Sequence, residues 1–171
     1  GVGIHPECVN DTPDEALNEV ETLLDAPKVV AVGEIGLDYH FEDNAPREVQ
    51  REWFAKQLAL ANRRGFPVIV HDRDAHGDTM ELLCKYRPKG VVHCFSGSVE
   101  MMREVVRLGM YIGLGGAVTF KNARVPVEVA AAVPLDHLLL ETDAPYMAPV
   151  PYRGKRCDSS MIAKTAERIA E

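Results

Sequence analysis

The sequence predicts an α/β protein of the TIM-type (β/α)₈ barrel class, here an incomplete barrel of about six βα units. Short β-branched runs alternate along the chain with amphipathic stretches, as in βα units around a parallel sheet. Strands such as VVAVGEI and PVIVH are apolar on both faces, as expected beneath covering helices. Ionisable residues stand where several strands end, and barrel enzymes carry their active sites at that face.

The predicted elements follow one another in the order βα throughout. Thr12 is the expected N-cap of the first helix because proline follows at the first helical position, and Gly65 and Gly109 each end a later helix. No repeat, linker or low-complexity tract interrupts the order, so one domain over residues 1–171 is expected. The predicted strands cover 1–4, 29–35, 67–71, 90–95, 110–114 and 137–142, and the helices cover 13–25, 46–64, 74–86, 98–108, 126–132 and 159–171.

An open doubly wound sheet is the alternative to a barrel for such alternating units. No glycine-rich phosphate fingerprint of the GxGxxG type follows a first strand, which weakens the dinucleotide-binding alternative and favours the barrel. A complete barrel needs eight strands and about 250 residues. This chain offers six strands in 171 residues and begins inside a strand. We therefore expect a barrel truncated at both ends, whose open strand edges make an isolated monomer unstable or prone to association.

The overall composition excludes several classes of protein. With 46% hydrophobic residues the chain can form a sizeable core, which excludes disordered and fibrous proteins. No apolar run approaches the roughly 20 residues of a membrane span and no secretory leader is visible, so a cytoplasmic location is expected. The four scattered cysteines form no CxxC pair and are expected to be reduced. A net charge of −7 argues against broad nonspecific adhesion to nucleic acid, but a nuclease that grips one or two phosphates through metal ions remains compatible with it.

Four strand ends carry side chains that suit a shared metal centre: Glu34, His71, His93 and Asp143. Burying carboxylates and imidazoles together is costly unless they are paired, hydrogen-bonded or metal-bound, so one centre explains all four. Two imidazoles and two carboxylates suit Zn²⁺ or Mn²⁺ and allow Mg²⁺. One carboxylate can bridge two ions in the arrangement used for phosphoryl transfer.

Six strings occur in order along the chain: GIHP, GEIGLDY, PVIVHDRDA, HCFSG, LLLETDAPY and PYRGKR. In sequence and spacing they resemble the TatD family of metal-dependent deoxyribonucleases over essentially residues 1–171. The resemblance implies that Glu34 bridges two metals and that His71 and His93 complete the shell of one ion. It also implies that Asp143 binds the other ion and acts on the attacking water.

The resemblance extends to further candidate residues. Glu141 matches a functional acidic position, and strand alternation is expected to turn it to the same side as Asp143. His5 matches an active-site histidine expected near the scissile phosphate. Asp38 and Tyr39 are expected to order the loop of Glu34. The loop cations Arg73, Lys121 and Arg153 are candidates for binding substrate phosphates.

The chain departs from the family at its beginning. The resemblance implies two further strands before GIHP, the first ending in an HxH pair that ligates one metal, and we expect this barrel to lack both. The complete site is expected to hold two divalent ions (Mg, Mn or Zn), and this chain at most one of them firmly. We therefore expect little activity from these 171 residues alone.

The predicted function is hydrolysis of DNA phosphodiester bonds by a metal-activated water, with exonucleolytic cleavage favoured. DNA is the expected partner, with no membrane and no obligate protein partner. Two alternatives stay open: a metal-dependent hydrolase of amides or lactones, in which Glu34 replaces a bridging carboxylated lysine, and a non-catalytic remnant of a nuclease.

Overall fold

The computed structural model describes all residues from Gly1 to Glu171 and divides into two compact units, Gly1–Val92 and His93–Glu171. Each unit is an alternation of parallel strands and helices. None of the helices is both long and apolar enough to cross a membrane. The prediction of a single domain over residues 1–171 stays a prediction.

The first unit contains three parallel strands in the order β1-β2-β3. Residue Val32 of β1 pairs with Val68, and the register then shifts by one residue so that Gly36 pairs with His71. This irregularity lies at Glu34, inside an otherwise apolar strand. The elements of the unit are α1 (Ala16–Leu23), β1 (Val32–Asp38), α2 (Arg47–Arg64), β2 (Val68–Arg73), α3 (His76–Tyr86) and β3 (Gly90–Val92).

Helix α2 packs against β1 and supplies most of the apolar face that covers it. Phe54 and Leu58 of α2 are fully buried, whereas Trp53 is buried in a cluster with Val9 and Ala45. Two glutamines, Gln50 and Gln57, are buried on the same helix at 1% exposure each. Burial of an amide is unfavourable unless it is hydrogen-bonded, and both amides bond to backbone groups of neighbouring segments.

The second unit contains β4 and β5, which pair in parallel with Ile112 opposite Leu138. Helix α6 packs on the 3-10 helix Gly116–Thr119 and on β5. Helix α4 begins at Ser98, whose side chain accepts a hydrogen bond from the backbone N–H of Met101. The elements of the unit are α4 (Val99–Arg107), β4 (Tyr111–Leu114), α5 (Arg124–Ala132), β5 (Leu138–Leu140) and α6 (Ile162–Ile169).

Five strands form where six were predicted, because the segment 1–4 makes only one β-bridge. Val2 donates to the carbonyl of Ala31 and accepts from Gly33, after which the chain turns at Pro6 into a 3-10 helix. The predicted strand 90–95 ends at Val92 because Cys94 adopts a left-handed backbone conformation (φ 44°). The other predicted elements form at bounds shifted by three residues or fewer, and a 3-10 turn at Ser159–Met161 precedes the last helix.

Candidate metal centre

Three predicted site residues of the first unit lie side by side: His5, Glu34 and His71. One ligand atom from each falls within 4.8 Å of the others. Glu34 projects from the irregular part of β1, His71 from the paired stretch of β2, and His5 from the start of the 3-10 helix Pro6–Cys8. The Glu34 carboxylate therefore lies beside two imidazole rings, which is a ligand set that suits Zn²⁺ and related divalent ions.

The distances in this cluster fit a bound cation. Glu34 Oε1 lies 2.9 Å from His71 Nδ1 and 3.4 Å from His5 Nε2. Ligand atoms about 2.1 Å from one ion lie about 3.0 Å apart at right angles and about 3.4 Å apart in a tetrahedron. The two distances from the Glu34 oxygen therefore match the spacing of neighbouring ligands of a single ion.

A glycine permits the close approach of β1 to His71. Gly36 has φ +143°, a conformation that side chains rarely adopt, and a Cβ atom there would lie 1.9 Å from the carbonyl oxygen of His71. Any larger residue would push the two strands apart. The GEIGLD string thus requires its second glycine to hold Glu34 and His71 at contact distance.

The two histidines contact different neighbours through their second ring nitrogen. His71 Nε2 lies 2.9 Å from Oδ2 of Asp38, whereas His5 Nδ1 accepts a hydrogen bond from the backbone N–H of Glu7 at 3.3 Å. A neutral imidazole carries one proton, so the His5 proton then lies on Nε2 and points to Glu34. In this arrangement His5 is a hydrogen-bond donor, and it becomes a third ligand only by giving up its bond from Glu7.

The charge state of His71 follows from its two acidic neighbours. Burial alone lowers the pKa of the ring, but hydrogen bonds and charge from Glu34 and Asp38 outweigh it and raise the pKa above the ordinary value of 6.5. Without a cation the two acidic neighbours therefore make the ring easier to protonate than a free histidine. A divalent ion placed beside Glu34 has to displace this proton from Nδ1.

A second group of predicted residues lies in the second unit. His93 Nδ1 is 3.9 Å from Oε1 of Glu141, which also accepts a hydrogen bond of 2.5 Å from the backbone N–H of Cys94. Gly113 makes room for this carboxylate, since a Cβ atom there would lie 2.4 Å from Glu141 Oε2. Glu141 thus fixes the turn after His93 as well as adding negative charge beside it.

Strand β5 ends at Leu140, so the strand alternation expected to align Glu141 with Asp143 does not extend to these two residues, and their alignment stays a prediction. Asp143 instead begins a tight turn in which its carbonyl accepts from the N–H of Tyr146. Its negative charge reaches Cys157, where burial first, and the charges of Asp158 and Asp143 next, raise the pKa of the thiol. The assignment of Asp143 and His93 as metal ligands stays a prediction.

The predicted phosphate-binding cations occupy exposed positions. The Arg73 guanidinium lies over the ring of Phe41 at 4.9 Å, and that of Arg153 over Phe120 at 3.8 Å. Lys121 lines a cavity of about 420 Å³ together with Phe120. The stacking holds both arginines in defined orientations, which suits phosphate binding.

Sequence reasoning missed the depth at which Asp38 is buried. Its side chain is fully inaccessible to solvent, and it contacts His71 directly rather than only ordering a loop. The available signal was a second acidic residue, after Glu34, that closes the buried strand VGEIGLD, where a buried charge needs a partner.

Comparison with known proteins shows which protein family the chain resembles. The family model for TatD-related DNases matches residues 1–171. "Uncharacterized metal-dependent hydrolase YabD" of Bacillus subtilis is 44% identical over 99% of this chain and 68% of its own length. "Deoxyribonuclease Tat-D" of Schizosaccharomyces pombe is 40% identical over 85% of this chain and 50% of its own length.

A solved structure agrees with the sequence relatives. The TatD homologue YJJV of Escherichia coli K12 superposes with a TM-score of 0.93 at 37% identity, over 99% of this chain and 67% of the homologue. This match confirms the predicted fold class. The chain spans between half and about two thirds of the length of these proteins.

Proposed function

Because the chain belongs to the TatD-related DNase family, whose relatives are named as metal-dependent hydrolases, we propose that the whole protein hydrolyses phosphodiester bonds in DNA, removing nucleotides from a strand end. The observation that carries the proposal is the Glu34 carboxylate lying between the imidazoles of His5 and His71 at ligand spacing. The name of the fission yeast relative, a deoxyribonuclease, supports DNA as the substrate.

Each candidate site residue has a definite part in the proposed reaction. Divalent ions, when bound, lower the pKa of a coordinated water and neutralise charge on the phosphate. Glu34 and His71 would hold a cation, with His93 and Asp143 as the further predicted ligands. Asp143 accepts the proton of the attacking water, with the Glu141 carboxylate as a second acidic group. The water oxygen forms a bond to phosphorus as the P–O bond to the leaving sugar oxygen breaks. That sugar oxygen takes up a proton from solvent, so the products are a phosphomonoester and a hydroxyl.

Hydrogen-bond donors and cations stabilise the phosphate during this step. The Nε2–H of His5 points toward Glu34 and is placed to donate to a phosphate oxygen held there. Arg73, Lys121 and Arg153 bind phosphate oxygens along the strand, and arginine does so through two parallel hydrogen bonds. Charge that develops on the oxygens in the transition state is thereby partly neutralised.

The test uses the whole protein and an end-labelled DNA oligonucleotide with Mn²⁺ or Mg²⁺. We expect stepwise shortening from one end, abolished by EDTA and by Glu34→Gln. A cyclic amide and a lactone, offered in parallel, test the alternative hydrolase; their turnover without DNA cleavage contradicts the proposal. Metal content of the purified protein tests the non-catalytic alternative, since a remnant that binds no metal cannot carry the activity.

A further inference from the structure

The carboxylate of Asp38 lies directly behind the imidazole of His71. We infer that Asp38 is a positioning residue that fixes the tautomer and the orientation of His71, so that Nδ1 and not Nε2 is the atom presented to the cation. The inference rests on the proposed function in one respect, because that function requires a cation at Glu34.

The contact of Asp38 with His71 determines which nitrogen carries the proton. Asp38 Oδ2 lies 2.9 Å from Nε2, and the Asp38 side chain has no solvent-exposed surface. A buried carboxylate can only accept, so Nε2 carries a hydrogen. The lone pair of the neutral ring then lies on Nδ1, which is 2.9 Å from Glu34 Oε1. The Nδ1 lone pair and the Glu34 oxygen are both acceptors, so a proton or a cation has to lie between them.

Asp38 is itself held so that it cannot turn away. Its other oxygen, Oδ1, accepts from the backbone N–H of His40 at 3.0 Å and from the Asn44 amide at 3.3 Å. The backbone N–H of Asp38 donates to Gln50 Oε1 at 2.8 Å, and the Gln50 amide donates back to the Asp38 carbonyl at 2.9 Å. The orientation of His71 is therefore set from helix α2, through Gln50 and Asp38.

An asparagine at position 38 is expected to invert the tautomer. The backbone N–H of His40 always donates, so the amide oxygen of Asn has to take the place of Oδ1. Its NH₂ group then faces His71 Nε2, which becomes the acceptor, and the ring proton moves to Nδ1. Nδ1 can no longer offer a lone pair to a cation without a further rearrangement.

The same strand supplies a matched control. Asp72 is also buried and also pairs with a histidine, at 2.6 Å from His76 Nδ1, and it accepts from the Thr79 hydroxyl at 3.1 Å. Asp72 lies on β2 and His76 begins helix α3, and the pair contains no predicted metal ligand. Asp72→Asn therefore reproduces the loss of a buried, histidine-paired carboxylate while leaving His71 untouched.

The experiment combines imidazole nitrogen NMR with Zn²⁺ titration of the 171-residue chain, both without substrate. In Asp38→Asn we expect a 10- to 100-fold weaker Zn²⁺ affinity, the usual effect of losing a group that orients a ligand, and a shift of the His71 proton from Nε2 to Nδ1. In Asp72→Asn both properties should equal those of the unsubstituted chain. Equal losses of Zn²⁺ affinity in Asp38→Asn and Asp72→Asn would overturn the inference.

The unsubstituted chain provides a readout that does not depend on the folding of a variant. With cadmium-113 ions alone as the probe, we expect nitrogen-cadmium coupling at His71 Nδ1 and a protonated Nε2. Coupling at Nε2 overturns the inference. A failure of the proposed function gives a different result. In that case the metal still binds at Nδ1, but the DNA stays intact in the cleavage assay.

Discussion

The acidic groups beside His71 and beside His93 make different contacts. His71 has a carboxylate 2.9 Å from each ring nitrogen, one of them fully buried. His93 has Glu141 at 3.9 Å, and that carboxylate also receives the Cys94 N–H at 2.5 Å. The first unit thus orients its histidine through side chains, whereas the second unit uses its acidic group to fix a backbone turn. Histidines that are placed alike after a strand can therefore have acidic neighbours that make different contacts.

The largest expected effect is the loss of metal binding in Glu34→Gln. The amide keeps the size of the side chain but removes the negative charge that lies beside both imidazoles. We expect Mn²⁺ affinity, measured by titration calorimetry, to fall by at least about 100-fold, more than the loss of an orienting group causes. In Glu141→Gln the amide oxygen keeps the bond from Cys94, and the affinity should change by less than about threefold, consistent with the weak effect of charges that are not ligands. Similar losses in both would remove the contrast between the two clusters.

The next effect concerns the stability of the first unit. In Gly36→Ala the new Cβ meets the His71 carbonyl oxygen at 1.9 Å in a left-handed conformation, so we expect a loss of about 3 kcal/mol or more in the free energy of unfolding. Gly65→Ala is the control, because Gly65 is also left-handed (φ +73°) but has nothing within 4 Å. It should lose only about 1 kcal/mol in urea denaturation. Equal losses of unfolding free energy in the two variants would mean that the close approach of Gly36 to His71 does not restrict the residue at position 36.

A smaller effect is the pH dependence that His71 imposes. Its pKa in the folded chain is raised above the unfolded value of 6.5, so its stabilising contribution is complete below the unfolded value and is lost as pH rises through the folded pKa. A bound divalent ion has to displace the same proton. We therefore expect Zn²⁺ affinity to increase about tenfold per pH unit below the folded pKa and then level off. A flat profile in His71→Gln is the control, and a flat profile in the unsubstituted chain would contradict the proposed ligand.

The smallest effect is expected at the exposed cations. Arg153→Lys keeps the charge but loses the stacking on Phe120 and the planar fork. We expect KM for DNA in the whole protein to rise about fivefold, equivalent to about 1 kcal/mol, with kcat unchanged. Arg107→Lys, a change at an arginine paired with Glu104 on helix α4, should leave KM unaltered. A fall in kcat without a change in KM would place Arg153 at the reacting phosphate instead.

The sequence patterns predicted the buried strands well and the strand ends poorly. The runs around β1 and β2 are apolar on both faces, so their positions follow from composition alone. The segment 1–4 has a similar composition, yet it makes only one bridge, because strand formation depends on pairing partners that a local pattern does not contain. The left-handed residue Cys94 likewise ends β3 early without any glycine or proline to indicate it.

In the candidate site, too, some features were predicted from the sequence and others were not. Glu34 and His71 were predicted as metal ligands from their places at strand ends, and the structure brings them to 2.9 Å. The buried support behind them was not predicted, because Gln50 and Asp38 are polar residues that a hydrophobic pattern assigns to the surface. Only the contact of α2 with β1 makes their burial favourable, and that contact is tertiary.

The central claim is that Glu34 and His71 hold a divalent cation. Crystals of the 171-residue chain soaked in Mn²⁺ and measured at an X-ray energy where manganese scatters anomalously test it most directly. We expect an anomalous peak about 2.0–2.3 Å from both Glu34 Oε1 and His71 Nδ1. A strong peak elsewhere, with none between these two atoms, would contradict it.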